Sequence, residues 1–145
     1  MILEGIYNFS SYLIPFLFLI TVVVFFHELG HFYIARLCNV KVDVFSIGFG
    51  KEIVGWNDKK GTRWKISWIP LGGYVKFFGD ANMSSLPTDK SLENISDQEK
   101  KMLFCLKPLY QRFAVVAAGP LANFVLAIFI FSLTLMIYGK TILQP

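Results

Sequence analysis

The segment His27-Glu-Leu-Gly-His31 holds the only two histidines of the chain, with an acid beside the first, inside the apolar stretch Val22–Leu37. On a helix, residues i and i+4 stack on one face roughly 6 Å apart, so both imidazoles can address one metal ion. Glu28 projects beside that face, where it can take a proton from water rather than bind the metal. Zinc suits imidazole and carboxylate donors, and it lowers the pKa of a water it holds towards about 7. The H-E-x-x-H spacing therefore predicts His27 and His31 as zinc ligands and Glu28 as a catalytic base. A carboxylate near the middle of a bilayer-spanning helix costs roughly 2.5–3.5 kcal/mol. Chemistry at a metal explains that cost; an accidental match to the motif does not.

Other metal chemistry is limited by the histidine count. Glu28-Leu-Gly-His31 is also half of a carboxylate-bridged di-iron site, but such a site needs a second copy on another helix. The chain has no third histidine. Two haem ligands one helical turn apart cannot hold opposite faces of one iron. Zinc hydrolase chemistry remains, and it normally uses three protein ligands plus water. Cys38 shares the helix face of His31 but lies about 10 Å further along the axis. Glu52 is the best third candidate by its distance in sequence, although it falls in a β-region.

These residues need elements to hold them. The chain is 54% hydrophobic and 17% aromatic, with a mean hydropathy of +0.53, too apolar for an ordinary soluble domain of 145 residues. Two runs account for the excess: Tyr12–Leu37, and Phe113–Tyr138, whose 26 residues include no charge. About 20 residues at 1.5 Å each cross the hydrocarbon of a bilayer, so both predict transmembrane helices. A cleaved signal peptide fits the first run poorly, because the amino end lacks a basic segment and the run is too long. Of the 14 Lys and Arg, 13 lie between Arg36 and Arg112. That asymmetry predicts a cytoplasmic central segment and both termini outside. The net charge of +4 is then a topology signal. No nucleic-acid partner is expected, since the basic residues form no continuous block. Cys38 and Cys105 fall in the cytoplasmic part, and no structural disulfide is expected.

Between the spans, residues 40–80 predict β-structure. Val40, Val42 and Val44 alternate with Lys41, Asp43 and Phe45 before Gly48-Phe-Gly50 interrupts. Glu52–Trp56 and Thr62–Ile69 flank the turn-rich Asn57-Asp-Lys-Lys-Gly61 and predict a hairpin ended by Pro70. Its dense Trp, Tyr and Phe suit a membrane interface. Ser96-Asp-Gln-Glu99 has capping-box spacing for a short helix, and Lys107-Pro108 breaks the chain before the second span.

His27-Glu-Leu-Gly-His31, Phe45-Ser-Ile-Gly-Phe-Gly50, Ile69-Pro-Leu-Gly-Gly-Tyr-Val-Lys76 and Ala118-Gly-Pro-Leu-Ala-Asn-Phe124 together resemble the bacterial site-2 protease family, most closely the regulator-of-sigma-E protease. The resemblance runs from about residue 12 to residue 138. It implies a zinc-dependent intramembrane endopeptidase of the bacterial inner membrane. Its substrates would be single-span membrane proteins, such as anti-sigma factors or remnant signal peptides. It also implies a membrane-reentrant hairpin at about residues 46–78 that presents the substrate as an extended strand, with Gly48 and Gly50 as candidate substrate-binding positions.

The expected fold is a mainly α membrane protein with two transmembrane helices and a β-hairpin region between them. Its parts are an outer amino terminus (1–11), helix 1 (12–37), the hairpin region (40–79), a cytoplasmic linker (80–112), helix 2 (113–138) and an outer tail (139–145). Asn123 is expected at the depth of the histidines, facing the site to bond substrate or hairpin backbone. Family members continue into PDZ domains and further helices, one carrying an Asp that completes the zinc site. The third ligand is therefore expected from a separately encoded carboxy-terminal part. The alternative is a truncated, non-catalytic fragment that keeps only metal or substrate-helix binding.

Overall fold

A computed structural model describes residues 2–79 and 96–139. The first helix, α1, spans Ile2–Leu37 and starts well before the expected boundary at Tyr12. A hairpin of β1 (Val42–Asn57) and β2 (Arg63–Phe77) follows. A single turn, α2 (Asp97–Lys100), and a 3-10 turn at Phe104–Leu106 lead into α3, Leu109–Tyr138. Within them, Phe9–Leu37 and Leu109–Tyr138 are long and apolar enough to cross a membrane. Residues 80–95 of the expected linker and the tail from residue 140 lie outside the described residues.

Local chemistry sets the element ends. Asn39 takes a left-handed conformation at φ 54°. The Val40 N–H then bonds to Ala35 O at 2.9 Å and the Asn39 N–H to Arg36 O at 3.2 Å. This is a Schellman stop, and the following apolar residue, Val40, is buried. The α2 turn has the expected capping box, with the Ser96 N–H donating to Glu99 Oε2 at 3.1 Å. Pro108 caps α3, which begins at the next residue.

The hairpin differs from the sequence expectation in length. Neither Gly48-Phe-Gly50 nor Pro70 ends a strand; both strands run on and bend. The register changes repeatedly along them. Residues 42–47 of β1 pair with 73–77 of β2, from Val42 opposite Phe77 to Ile47 opposite Gly73. Residues 52–57 pair with 63–67, from Glu52 opposite Ser67 to Asn57 opposite Arg63. The two strands are antiparallel overall, yet Val44–Ile47 also lies beside Arg63–Ile66 in the same direction. Four segments thus lie side by side in the order 73–77, 42–47, 63–67, 52–57. The fold-back is possible because Gly48 sits at φ 86°, where a Cβ would come within 2.7 Å of Ile69 O.

The core lies where α1 ends, among Phe32, Ala35, Val40, Val42, Phe45 and Val115. The rings of Phe32, Phe45 and Trp64 meet with centroids 4.3–5.3 Å apart. Burying a side chain such as Phe45 contributes about 1.5–3 kcal/mol. Two polar ties then hold the hairpin along α1. At the helix end, Arg36 donates to Asp58 Oδ2 and, at 2.9 Å, to Thr62 Oγ1. Thr62 in turn donates to Val42 O at 2.7 Å. Far up the helix, Thr21 Oγ1 shares its proton between Leu17 O at 2.7 Å and Pro70 O at 2.9 Å. Arg36 and Thr21 are about 22 Å apart at 1.5 Å per residue, so the sheet lies lengthwise on the helix.

Candidate metal centre

The two histidines and Glu28 sit on one stretch of α1, each half-buried, where α3 and the hairpin both reach it. Small residues let the helices approach. A Cβ on Gly30 would lie 2.8 Å from Ala122 Cβ and closer still to Ala118 O. Any larger residue between the histidines would therefore push α3 away, as expected where helices pack through small side chains.

The imidazoles converge. Their ring centroids are 4.8 Å apart with an 80° interplanar angle. The Nε2 atoms of His27 and His31 both lie within 2.7 Å of the position that a Cβ on Gly119 would take. Gly119 leaves that space open, and the Nε2 atoms of both rings border it. His31 Nδ1 lies 2.7 Å from Val115 O, a contact only a protonated Nδ1 satisfies, so its Nε2 presents a lone pair. His27 Nδ1 lies 3.2 Å from Asn123 Nδ2. A zinc–nitrogen bond is about 2.0–2.1 Å long, and the cradle matches what two imidazole ligands of one ion require. The residues present fit zinc.

Glu28 stands beside this pair on the hairpin side. A Cβ on Gly73 would be 3.4 Å from Glu28 Cγ and 2.7 Å from Ser46 O. The bare backbone of β2 thus presses on the helix face that carries the carboxylate. Among the described residues, segment 73–77 has a strand neighbour on one side only. This edge segment meets Glu28 at Gly73.

The other candidates sit elsewhere. Asn123 is in the site, and its hydrogen-bond partner among the described residues is His27, not the hairpin. Gly48 is buried in the fold-back of β1 and Gly50 is exposed. Cys38 packs against the apolar core. Glu52 is exposed and accepts hydrogen bonds from Arg63 Nη2 at 2.5 Å and Nε at 3.2 Å. That contact, chiefly its hydrogen bonds, lowers the Glu52 pKa. Among the described residues no three His, Cys, Asp or Glu side chains form a metal-holding group. Sequence reasoning missed the Val115 carbonyl, which lies one residue before the carbonyl that Pro120 deprives of its donor. It also missed Gly73. Only the glycine pair before Tyr74 signalled that a backbone must come close there.

The chain is similar to known proteins over nearly all of its length. Residues 15–145 match the model of peptidase family M50. A protein of Mesorhizobium japonicum named "Putative zinc metalloprotease" is 51% identical over 138 residues, 94% of this chain and 38% of that protein. A Rickettsia conorii protein of the same description is 48% identical over 134 residues, 92% of this chain and 35% of its own. "Metalloprotease MmpA" of Caulobacter vibrioides is 42% identical over 140 residues, 91% of this chain and 35% of its length. The chain therefore spans little more than a third of these relatives. By the match over nearly its whole length and by the site that match covers, the chain belongs to peptidase family M50, the site-2 proteases.

Proposed function

We propose that this chain forms the zinc-binding part of an intramembrane endopeptidase that cleaves single-span proteins in the bacterial inner membrane. The observation that carries this reading is the convergence of both Nε2 atoms on the space Gly119 leaves open, with Glu28 beside it. His27 and His31 would hold the ion, which when bound supplies a Lewis acid at the cleavage point. Glu28 then takes the proton of the attacking water and returns it to the leaving amine. The free edge of segment 73–77 takes the substrate as an added strand, its backbone paired by the sheet and its scissile bond carried to Glu28. An unwound substrate is what the chemistry needs, because a helix shields its own carbonyls.

In this reading the central segment faces the cytoplasm and both termini lie outside, the orientation that the basic residues between Arg36 and Arg112 favour. His31 lies roughly 8 Å and His27 roughly 14 Å below Arg36. The third ligand comes from residues beyond those described, in the length that the relatives carry and this chain does not cover.

The test is Glu28→Gln in a protein extended to the length of the relatives. It should retain zinc and lose cleavage of a single-span substrate by at least 100-fold, whereas His27→Ala should lose both. Cleavage by the Gln protein at the wild-type rate would remove Glu28 from its role. Full cleavage by the 145-residue chain alone would remove the need for a further ligand.

A further inference from the structure

The contact between Asn123 and His27 carries a requirement that the zinc reading imposes. A histidine that gives Nε2 to a metal carries its proton on Nδ1 and needs an acceptor there. His31 has one, the Val115 carbonyl at 2.7 Å. Among the described residues His27 has the Asn123 amide, whose nitrogen is the nearer atom at 3.2 Å. In that orientation the amide donates to Nδ1, and His27 must hold its proton on Nε2, where it would block ligation. The Asn123 Oδ1 is meanwhile buried without a hydrogen-bond partner among the described residues. Amide nitrogen and oxygen have nearly the same shape, and which one faces a partner is set by the surrounding network. Turning the amide end for end places Oδ1 on Nδ1, gives the orphaned oxygen a donor, and frees the Nε2 lone pair. Either orientation leaves one amide atom unpartnered, so hydrogen-bond satisfaction alone does not choose between them. Ligation does.

We propose that Asn123 is a positioning residue for zinc: its amide oxygen accepts the Nδ1 proton of His27 and holds the ring in the tautomer that ligates through Nε2. The proposal rests on His27 and His31 binding the ion. It assigns Asn123 to the ligand rather than to the substrate. The two imidazoles are then anchored by different means, His31 by a backbone carbonyl fixed within α3 and His27 by a side chain about two helical turns further on. Both anchors lie on α3 while both ligands lie on α1, so correct seating of the two helices is itself a condition for the site.

The test uses the 145-residue chain in detergent, titrated with Zn2+, as wild type, His27→Ala, Asn123→Leu and Asn123→Asp. Leucine keeps the volume and removes the acceptor; aspartate keeps an acceptor and removes the donor. The expected result is zinc binding weakened about 10–100-fold by Asn123→Leu and retained by Asn123→Asp. In nitrogen-15 spectra of the zinc-loaded chain, a slowly exchanging His27 Nδ1–H should appear in the wild type and the Asp variant. It should vanish in the Leu variant while the His31 Nδ1–H stays, which a general loss of structure would not allow. Equal zinc affinity in wild type and Asn123→Leu, or an Asp variant as weak as the Leu variant, overturns the proposal. Equal affinity in wild type and His27→Ala overturns instead the metal reading beneath it. If the Leu variant does not fold, the wild-type spectrum decides: a zinc-loaded chain without a protected His27 Nδ1–H overturns the proposal.

Discussion

At the scale of single residues, the site is defined as much by an absent side chain as by those present. His27, Glu28 and His31 were legible in the sequence because their spacing alone places them on one helix face. Gly119 was not, because its role depends on where a second helix crosses the first. Its missing Cβ keeps open the point on which both Nε2 atoms converge. Gly119→Ala should therefore fill the cradle with a methyl group. Relieving that overlap costs about 1–3 kcal/mol in a packed interior, which corresponds to zinc affinity lowered roughly 5- to 150-fold. Zinc titration against wild type checks this, with circular dichroism to confirm that helix content is unchanged. An alanine variant that binds zinc normally would place the ion elsewhere.

At the scale of elements, the sequence announced the turn between the strands but not what it docks on. Asp58 accepts N–H bonds from Lys60 at 2.8 Å and Thr62 at 3.0 Å, closing the turn locally. Its second oxygen takes Arg36 from 22 residues away, together with the Trp64 indole at 3.4 Å. Spacing rules see only neighbours along the chain, so this tie between α1 and the hairpin was invisible. The bends at Gly48 and beyond Pro70 are hidden for a related reason: along the chain glycine and proline read as breakers, but in a folded-back sheet they are hinges within a strand. Burial pushes the Asp58 carboxyl up, while the Thr62 N–H, Arg36, the Lys60 N–H and Trp64 together outweigh it and hold the pKa below the ordinary 3.8. A depressed carboxylate pKa contributes stability that is present above the unfolded value and is lost as pH falls through the folded one. Asp58→Asn should thus destabilise the fold by about 1.5–3 kcal/mol at neutral pH, the scale of hydrogen bonds to a charged group. The gap from wild type should close only below pH 3.8. Denaturant unfolding at neutral and strongly acid pH measures both.

At the scale of the whole molecule, the hairpin has two ends of different character. The end beside Arg36 carries Asp58, Lys59 and Lys60 and closes on the core. The other end reaches Thr21, about 22 Å along α1. There Ile53, Trp68 and Leu71 expose 54–71% of their surface, more apolar area in one place than a water-facing hairpin normally shows. If α1 crosses the membrane with Arg36 at the cytoplasmic face, that end lies within the hydrocarbon. Backbone at such depth must be paired or covered, and the sheet's own pairing together with the Thr21–Pro70 bond does this for the inner segments. On the proposed reading, the outer edge of 73–77 is where a substrate strand adds. Depth is directly measurable. In a background with Cys38 and Cys105 replaced by serine, Ile53→Cys and Leu71→Cys should resist a membrane-impermeant maleimide in inverted vesicles. Lys59→Cys should react readily there. All three should react once detergent removes the bilayer, since none of the three side chains is buried in the protein. Ile53→Cys labelled as fast as Lys59→Cys in intact vesicles would put the hairpin in water, and the cleavage site could then no longer be reached from within the membrane by strand addition.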